Sequence, residues 1–157
     1  MSVVLLDLRA LRAALPAGKR VIGVDPGSRT VGIALSDPSL TLATPHSHLK
    51  RGKLAPIAAA IARIARAEGV GGLVVGLPLE MDGTFGAAAQ AARDWAHALS
   101  DATGLPTSLW DERLSTAAVT RFLIGEADFT RKHRAELVDQ MAAAYMLQAA
   151  LDATRPA

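Results

Sequence analysis

Three carboxylates occupy positions where a compact domain can bring acidic groups together. Asp25 ends the apolar segment that begins at Arg20, Glu112 closely follows the segment Thr107–Trp110, and Asp139 lies in a segment of helical spacing. Such a trio is a plausible cage for Mg²⁺ or Mn²⁺, since these hard cations prefer oxygen ligands. Two such ions about 4 Å apart can activate water against a phosphodiester. The pattern therefore predicts metal-dependent phosphodiester hydrolysis.

Asp139 has the strongest physical case of the three. Between Leu137 and Leu151 the only other strongly polar residues are Gln140 and Gln148, which predicts a largely buried helix. A lone carboxylate on such a helix is costly unless something compensates it. A bound cation is one solution, and a buried arginine or a protonated carboxyl group is the alternative. At about 100° per residue, Asp139 shares its face with Ala135, Ala142, Ala143, Met146 and Ala150.

The other two carboxylates are less informative when each is taken alone. Asp25-Pro26-Gly27 is also a common turn sequence. Asp111-Glu112-Arg113 could be an ordinary solvated triplet after a strand. The strand ends favour a functional role, because the carboxyl ends of strands are where α/β sheets place ligands.

The apolar periodicity predicts the elements that hold these residues. Residues 1–18 are predicted to be an N-terminal helical extension, with helical spacing over 3–15, and residues 19–153 a single domain. The domain is α/β, with an antiparallel three-strand meander, further strands that alternate with helices, and helices on both faces. The predicted strands are Arg20–Asp25, Thr30–Ser36, a third within Thr41–Leu49, Leu73–Leu77 and Thr107–Trp110; the predicted helices are Leu54–Glu68, about Phe85–Ala102, Ser115 to near Gly125, and Arg131–Ala153.

Composition narrows the class of protein. The 157 residues suit one domain, and the absence of cysteine excludes disulfides, thiolate nucleophiles and cysteine-ligated zinc. The four histidines lack ligand spacing, and His46 and His48 are predicted to be exposed polar residues. The N-terminus does not resemble a signal peptide, and no apolar stretch is long enough to span a bilayer. We therefore expect a cytoplasmic protein with no membrane partner.

The positive charges indicate where nucleic acid could bind. Arg131, Lys132 and Arg134 open the last helix, where cations oppose the helix dipole, so phosphate contact is a reasonable explanation and a solvated charge cluster the alternative. Arg29 could reach a phosphate or orient a carboxylate. A second and weaker basic group is formed by Lys50, Arg51 and Lys53. With aromatic residues at only 4%, recognition should depend on the nucleic-acid backbone and shape rather than on base stacking.

Four blocks of the sequence form a combination of motifs that is more specific than any one of them. They are Asp25-Pro26-Gly27-Ser28-Arg29-Thr30-Val31-Gly32-Ile33-Ala34, Val74-Val75-Gly76-Leu77-Pro78-Leu79 with Met81-Asp82-Gly83-Thr84, Asp111-Glu112-Arg113-Leu114-Ser115-Thr116, and Asp139 with Ala142-Ala143-Ala144 and Leu147-Gln148. Together they resemble the blocks of the YqgF family, and they keep the family's order over residues 20–152.

This resemblance implies an RNase H-like fold with a central mixed five-stranded sheet flanked by helices. It also implies a role in maturing the 5′ end of pre-16S ribosomal RNA. The family's acidic positions fall on Asp25, Glu112 and Asp139, and Arg113 in the third block is a predicted nucleic-acid contact. One departure is Glu80, which stands where the family often has Asn, so that Glu80 or Asp82 could compete with Glu112 for the metal.

Three other functions are compatible with parts of this pattern. A Holliday-junction resolvase would use the same chemistry on DNA but needs a two-fold dimer, and the sequence does not decide between a monomer and a homodimer. A non-catalytic nucleic-acid-binding factor in transcription or ribosome assembly would need the basic residues and not the carboxylates. An actin-like ATPase also has D-x-G after a strand, but that fold needs two such domains, for which 157 residues are too few.

Overall fold

The computed structural model of the chain describes residues 5–27, 29–77, 86–111 and 131–156, with the backbone alone for 5–6 and 131–139. Strands and helices alternate along most of this length. The elements are β1 (Leu5–Leu6), α1 (Leu8–Ala14), β2 (Arg20–Pro26), β3 (Thr30–Ser36), β4 (Ala43–Lys50), α2 (Leu54–Glu68), β5 (Val70–Leu77), α3 (Ala87–Thr103), β6 (Thr107–Asp111) and α4 (Arg131–Ala153). The helix predicted from Ser115 to near Gly125 lies outside the described residues.

One mixed sheet connects the six strands of the described residues, in the order β1-β6-β5-β2-β3-β4. Strands β2, β3 and β4 form the antiparallel meander, while β5 runs parallel to both β2 and β6. The predicted sheet of three antiparallel and two parallel strands is thus confirmed, and β1 extends it. Because β2, β5 and β6 run in the same direction, their carboxyl ends lie at the same end of the sheet.

Side-chain alternation divides the core between the two faces of the sheet. Ile22 and Val24 of β2 pack with α2 and α3, together with Ile61 and Leu99. Val21 of the same strand packs with α1 and α4 on the opposite face. We call these the α2/α3 face and the α4 face. Two helices end where the periodicity predicts, because Gly69 (φ 66°) and Gly104 (φ 71°) adopt the left-handed conformation that closes α2 and α3.

The N-terminal segment differs from the single helix predicted over 3–15. The carboxylate of Asp7 accepts a hydrogen bond from the backbone N–H of Ala10 at 2.8 Å, so that α1 begins at Leu8. Leu5 and Leu6 precede this cap and pair in parallel with the start of β6. In the described part of the chain, no helix combines the length and apolar content needed to cross a membrane.

Candidate active site

Asp25 lies near the carboxyl end of β2, where it pairs with Gly32 of β3. Since Val24 belongs to the α2/α3 face, alternation places Asp25 on the α4 face. The residue is half-buried. Within the described part of the chain, nothing forms an ion pair with its carboxylate or donates a hydrogen bond to it. A carboxylate in this environment is a suitable ligand for a cation.

Glycines flank Asp25 on both neighbouring strands. Gly32 is its partner on β3. On the other side Val24 pairs with Val75, so that Gly76 comes next to Asp25. Neither flank therefore places a side chain beside the carboxylate on the α4 face. Glycines inside strands often mark a place where a ligand approaches the backbone closely.

Helix α4 crosses β2 in close contact at Gly23. A Cβ at this glycine would lie 2.9 Å from the Cβ of Leu147 and 3.4 Å from the carbonyl oxygen of Ala143. A side chain at position 23 would therefore hold the helix away from the strand. Gly23 sets the distance between the two elements that carry Asp25 and Asp139.

The direction of α4 follows from its contacts with β4. The side-chain oxygen of Gln148 accepts from the N–H of Ala43 at 2.8 Å, and the side-chain nitrogen of Gln140 lies 2.8 Å from Nδ1 of His48. The helix therefore runs antiparallel to β4. Because β4 and β2 are both antiparallel to β3, α4 runs antiparallel to β2 as well.

This direction brings Asp139 and Asp25 to the same level at the backbone. Asp25, Gly32 and His48 lie on one rung of the sheet, and the side chain of Gln140 on α4 contacts His48. Helix position 139, of which only the backbone is described, therefore lies near the level of Asp25.

The remaining predicted acidic ligands are not described. Strand β6 ends at Asp111, and Glu112, Glu80 and Asp82 all lie outside the described residues. Leu109 packs on the α2/α3 face and Trp110 on the α4 face. Among the described side chains, no group of three histidine, aspartate or glutamate residues is placed to hold a metal ion.

The predicted phosphate contacts are placed in part. Arg29 is exposed in the loop that follows β2. Arg131, Lys132 and Arg134 lie in the first turn of α4, whose start is at the same end of the sheet as Asp25, although only their backbone is described. Arg113 lies outside the described residues.

The sequence reasoning missed two contacts beside Asp25. His48, predicted to be exposed, is half-buried because Gln140 of α4 packs against it. Arg51, assigned to a basic group, donates from its guanidinium to the carbonyl oxygen of Gly27 at 2.7 Å. A sequence pattern could not reveal either contact, since both depend on the pairing of β4 with β3.

Comparison with known proteins identifies close relatives. The profile of a family described as "RuvX: Holliday junction resolvase" matches residues 19–153. A protein of Gluconacetobacter diazotrophicus named "Putative pre-16S rRNA nuclease" is 61% identical over 150 residues, which are 96% of this chain and 97% of the relative. A protein of Gluconobacter oxydans with the same name is 61% identical over 146 residues, 93% of this chain and 91% of the relative.

A solved structure shows the same fold at low sequence identity. The RuvC of T. thermophilus in complex with a Holliday junction substrate superposes with a TM-score of 0.51 and 18% identity. The match covers 86% of this chain and 94% of that one. The RNase H-like fold implied by the sequence motifs is thereby confirmed.

Proposed function

Since the chain belongs to the family described as RuvX: Holliday junction resolvase, we propose that it is a metal-dependent nuclease that processes the 5′ end of pre-16S rRNA. The membership confirms the resemblance to YqgF proteins that the four sequence blocks indicated. Relatives that are 61% identical over more than nine-tenths of the chain carry the name of a pre-16S rRNA nuclease. The observation that carries the proposal is the convergence of β2 and α4 at Asp25 and position 139 in a chain of this family.

We assign the metal-binding and catalytic role to Asp25, Glu112 and Asp139. Asp25 is on the α4 face at the carboxyl end of β2, and the backbone of helix position 139 lies near the level of Asp25. Trp110 of β6 is on this same face, so strand alternation turns Asp111, the last residue of the strand, to the α2/α3 face. Glu112 is therefore favoured over Asp111 as the acidic ligand of this sequence block, with Glu80 and Asp82 as competitors from the sequence after β5.

The donor set fits a hard divalent cation. Three carboxylates would supply the oxygen ligands that Mg²⁺ and Mn²⁺ prefer, and glycines at positions 32 and 76 place no side chain beside Asp25 on the neighbouring strands. When bound, such ions lower the pKa of a coordinated water and offset the charge that develops on a phosphodiester. The carboxylates hold the ions, and the rigid end of β2 keeps Asp25 in a fixed orientation.

Phosphate contacts are proposed for Arg29, Arg113, Arg131, Lys132 and Arg134. Arg29 is exposed in the loop that follows β2, and the first turn of α4 lies at the same end of the sheet. Arginine and lysine contacts to phosphates fix the register of a nucleic acid without reading its sequence. RNA is the favoured substrate, the cytoplasm the proposed compartment, and the chain would act as a monomer or a homodimer.

The test is a digest of precursor rRNA by the purified protein, with and without Mg²⁺ or Mn²⁺. Asp25→Asn preserves the shape of the side chain and removes its charge. We expect it to lower metal-dependent cleavage by on the order of 100-fold or more, since even a residue that only orients a metal ligand contributes about 10- to 100-fold. Asp101→Asn, at the far end of α3, is the matched control and should cleave like the wild type. Equal cleavage by wild type and Asp25→Asn would contradict the assignment, and retained function in that variant would favour a non-catalytic binding factor.

Cleavage of a DNA four-way junction is the second candidate function, because the family's description names a Holliday junction resolvase. That activity requires paired sites in a two-fold dimer. Sedimentation of the protein at assay concentration, combined with a four-way-junction digest, separates the two functions. A monomer that cuts precursor rRNA and leaves junctions intact would eliminate the resolvase.

A further inference from the structure

Lys50 and Arg51 are adjacent in sequence, but their side chains lie on opposite faces of the sheet. His48 contacts Gln140 and is therefore on the α4 face, and Lys50, two residues later, shares that face at the end of β4. Arg51 lies just past the strand, with its guanidinium carbon 5.3 Å from the ring centre of Trp95 on α3. The basic group in the sequence is thus divided by the sheet.

Arg51 makes three contacts. Two are with the backbone that follows Asp25, and the third is with the ring of Trp95. Its backbone N–H donates to the carbonyl oxygen of Arg29 at 2.9 Å. Its guanidinium donates to the carbonyl oxygen of Gly27 at 2.7 Å and stacks on Trp95. A planar, permanently charged guanidinium is suited to this combination of hydrogen bond and aromatic stacking.

These contacts fix the strand end that carries Asp25. The carboxylate of Asp25 receives no hydrogen bond from the described part of the chain, so its orientation depends on the backbone that follows it. Arg51 joins that backbone at Gly27 and Arg29 to the end of β4 and, through Trp95, to α3. The half-buried Trp95 packs against the α2/α3 core, which gives the loop a rigid support.

We infer that Arg51 is a positioning residue for Asp25 and not a phosphate contact, because it holds the backbone at Gly27 and Arg29, which follows Asp25 in the chain. The inference rests on the proposed function. It also divides the basic group by role, because Lys50 remains exposed on the α4 face while the guanidinium of Arg51 is engaged from the other face.

The test compares Arg51→Ala with Lys50→Ala, two neighbouring changes that remove the same charge. Arg66→Ala, on the exposed side of α2, is the control for loss of a positive charge elsewhere. For each full-length variant, kcat and KM are measured on precursor rRNA, and RNA affinity is measured against salt concentration in EDTA, where cleavage is absent. Deuterium uptake by the backbone of residues 25–30 reports on the loop directly.

For Arg51→Ala we expect kcat to fall by about 10- to 100-fold, the cost of a misplaced catalytic group, with faster deuterium uptake in residues 25–30 and an unchanged salt slope. For Lys50→Ala we expect a higher KM, a salt slope smaller by about 1, and unchanged uptake. Arg51→Lys keeps the charge and a donor for Gly27 but loses the planar stacking, so its kcat and uptake should be intermediate. If Arg51→Ala does not fold, Arg51→Lys carries the test.

The inference is overturned if Arg51→Ala lowers the salt slope as Lys50→Ala does while kcat and loop uptake stay at the wild-type values. A wild-type protein that fails to cleave precursor rRNA would instead refute the proposed function. In that case the uptake of residues 25–30 and a Mn²⁺ titration of wild type, Arg51→Ala and Asp25→Asn still decide the role of Arg51. Unchanged uptake and Mn²⁺ affinity in Arg51→Ala would refute it.

Discussion

Gly23→Ala tests the contact that sets the spacing between β2 and α4. The new Cβ would lie 2.9 Å from the Cβ of Leu147, whereas ordinary contacts begin near 3.4 Å. The helix must therefore move away by about 0.5 Å, the difference between these distances. A Cβ is fixed to the backbone, so a change of side-chain rotamer at Leu147 cannot relieve the overlap.

The magnitude follows from two opposing effects. Overpacking of a core usually costs about 1–3 kcal/mol, while replacing glycine by alanine stabilises by about 0.4–1 kcal/mol through the unfolded chain. We expect a net loss of about 1–2 kcal/mol in the free energy of unfolding. Since α4 carries Asp139, the shift also separates the proposed ligands. A 1 Å misplacement can cost about 100-fold in rate, so a shift of half that size should cost roughly tenfold.

Urea unfolding gives the stability change, and metal-dependent cleavage of precursor rRNA gives the change in kcat. Gly52→Ala is the matched control, because a Cβ there meets no atom within 4 Å. Its stability and activity should equal or slightly exceed those of the wild type. A Gly23→Ala protein as stable and as active as Gly52→Ala would refute the reasoning that α4 presses on β2 at this glycine.

Three further changes probe the fold around the site. Leu99→Ala should lower the free energy of unfolding by about 2–5 kcal/mol, since this leucine is fully buried against the α2/α3 face; urea unfolding measures it. Arg12→Ala should lower the free energy of unfolding by roughly 1–3 kcal/mol, because the guanidinium of Arg12 donates to the carbonyl oxygens of Leu151 and Leu40. A comparison of its melting temperature with that of Arg9→Ala checks this expectation. Asp37→Asn should destabilise the β3–β4 turn, where the carboxylate accepts hydrogen bonds from the backbone and side chain of Thr41, and urea unfolding at several pH values follows the loss.

The Asp37 prediction has a defined pH dependence. Burial alone raises the pKa of Asp37, but hydrogen bonds from Leu42, Ser39 and Thr41 outweigh it and hold the pKa well below its usual value near 3.8. The folded state therefore favours the ionised carboxylate, whose contribution is complete above that usual value and is lost as the pH falls toward the folded-state pKa. The stability difference between wild type and Asp37→Asn should shrink below about pH 4. A difference that stays constant down to pH 2 would contradict this explanation.

The sheet could be predicted from the sequence because each core strand is a short segment in which apolar and polar residues alternate or all residues are apolar. Ile22 and Val24 in β2, and Leu73 and Val75 in β5, mark buried strands through composition alone. Strand β1 was missed because Leu5 fits the helical spacing of Leu8, Leu11 and Leu15 that follow it. Its conformation is decided by the cap at Asp7 and by pairing with Thr107, which is distant in sequence.

The candidate site could be predicted as a set of residues but not as an arrangement. The apolar surroundings of Asp139 identified it from helical spacing, and a motif identified Asp25. That the two share one level of the structure depends on the absence of a Cβ at Gly23 and on the direction of α4. The contacts of Arg51 with Gly27 and Trp95 could not be predicted, because formal charge does not show on which face of the sheet a side chain lies.

The two outer strands of the sheet have consequences for self-association. An unpaired strand edge is a template for aggregation, and folded proteins protect such edges with proline, lysine, bulges or a covering segment. Strand β4 carries Pro45 and Lys50 and has a register shift opposite Ile33 and Ala34. At the other edge, Leu5 and Leu6 of β1 cover the start of β6. Removing residues 1–18 would therefore expose β6 and should turn a monodisperse preparation into one that forms intermolecular β-structure.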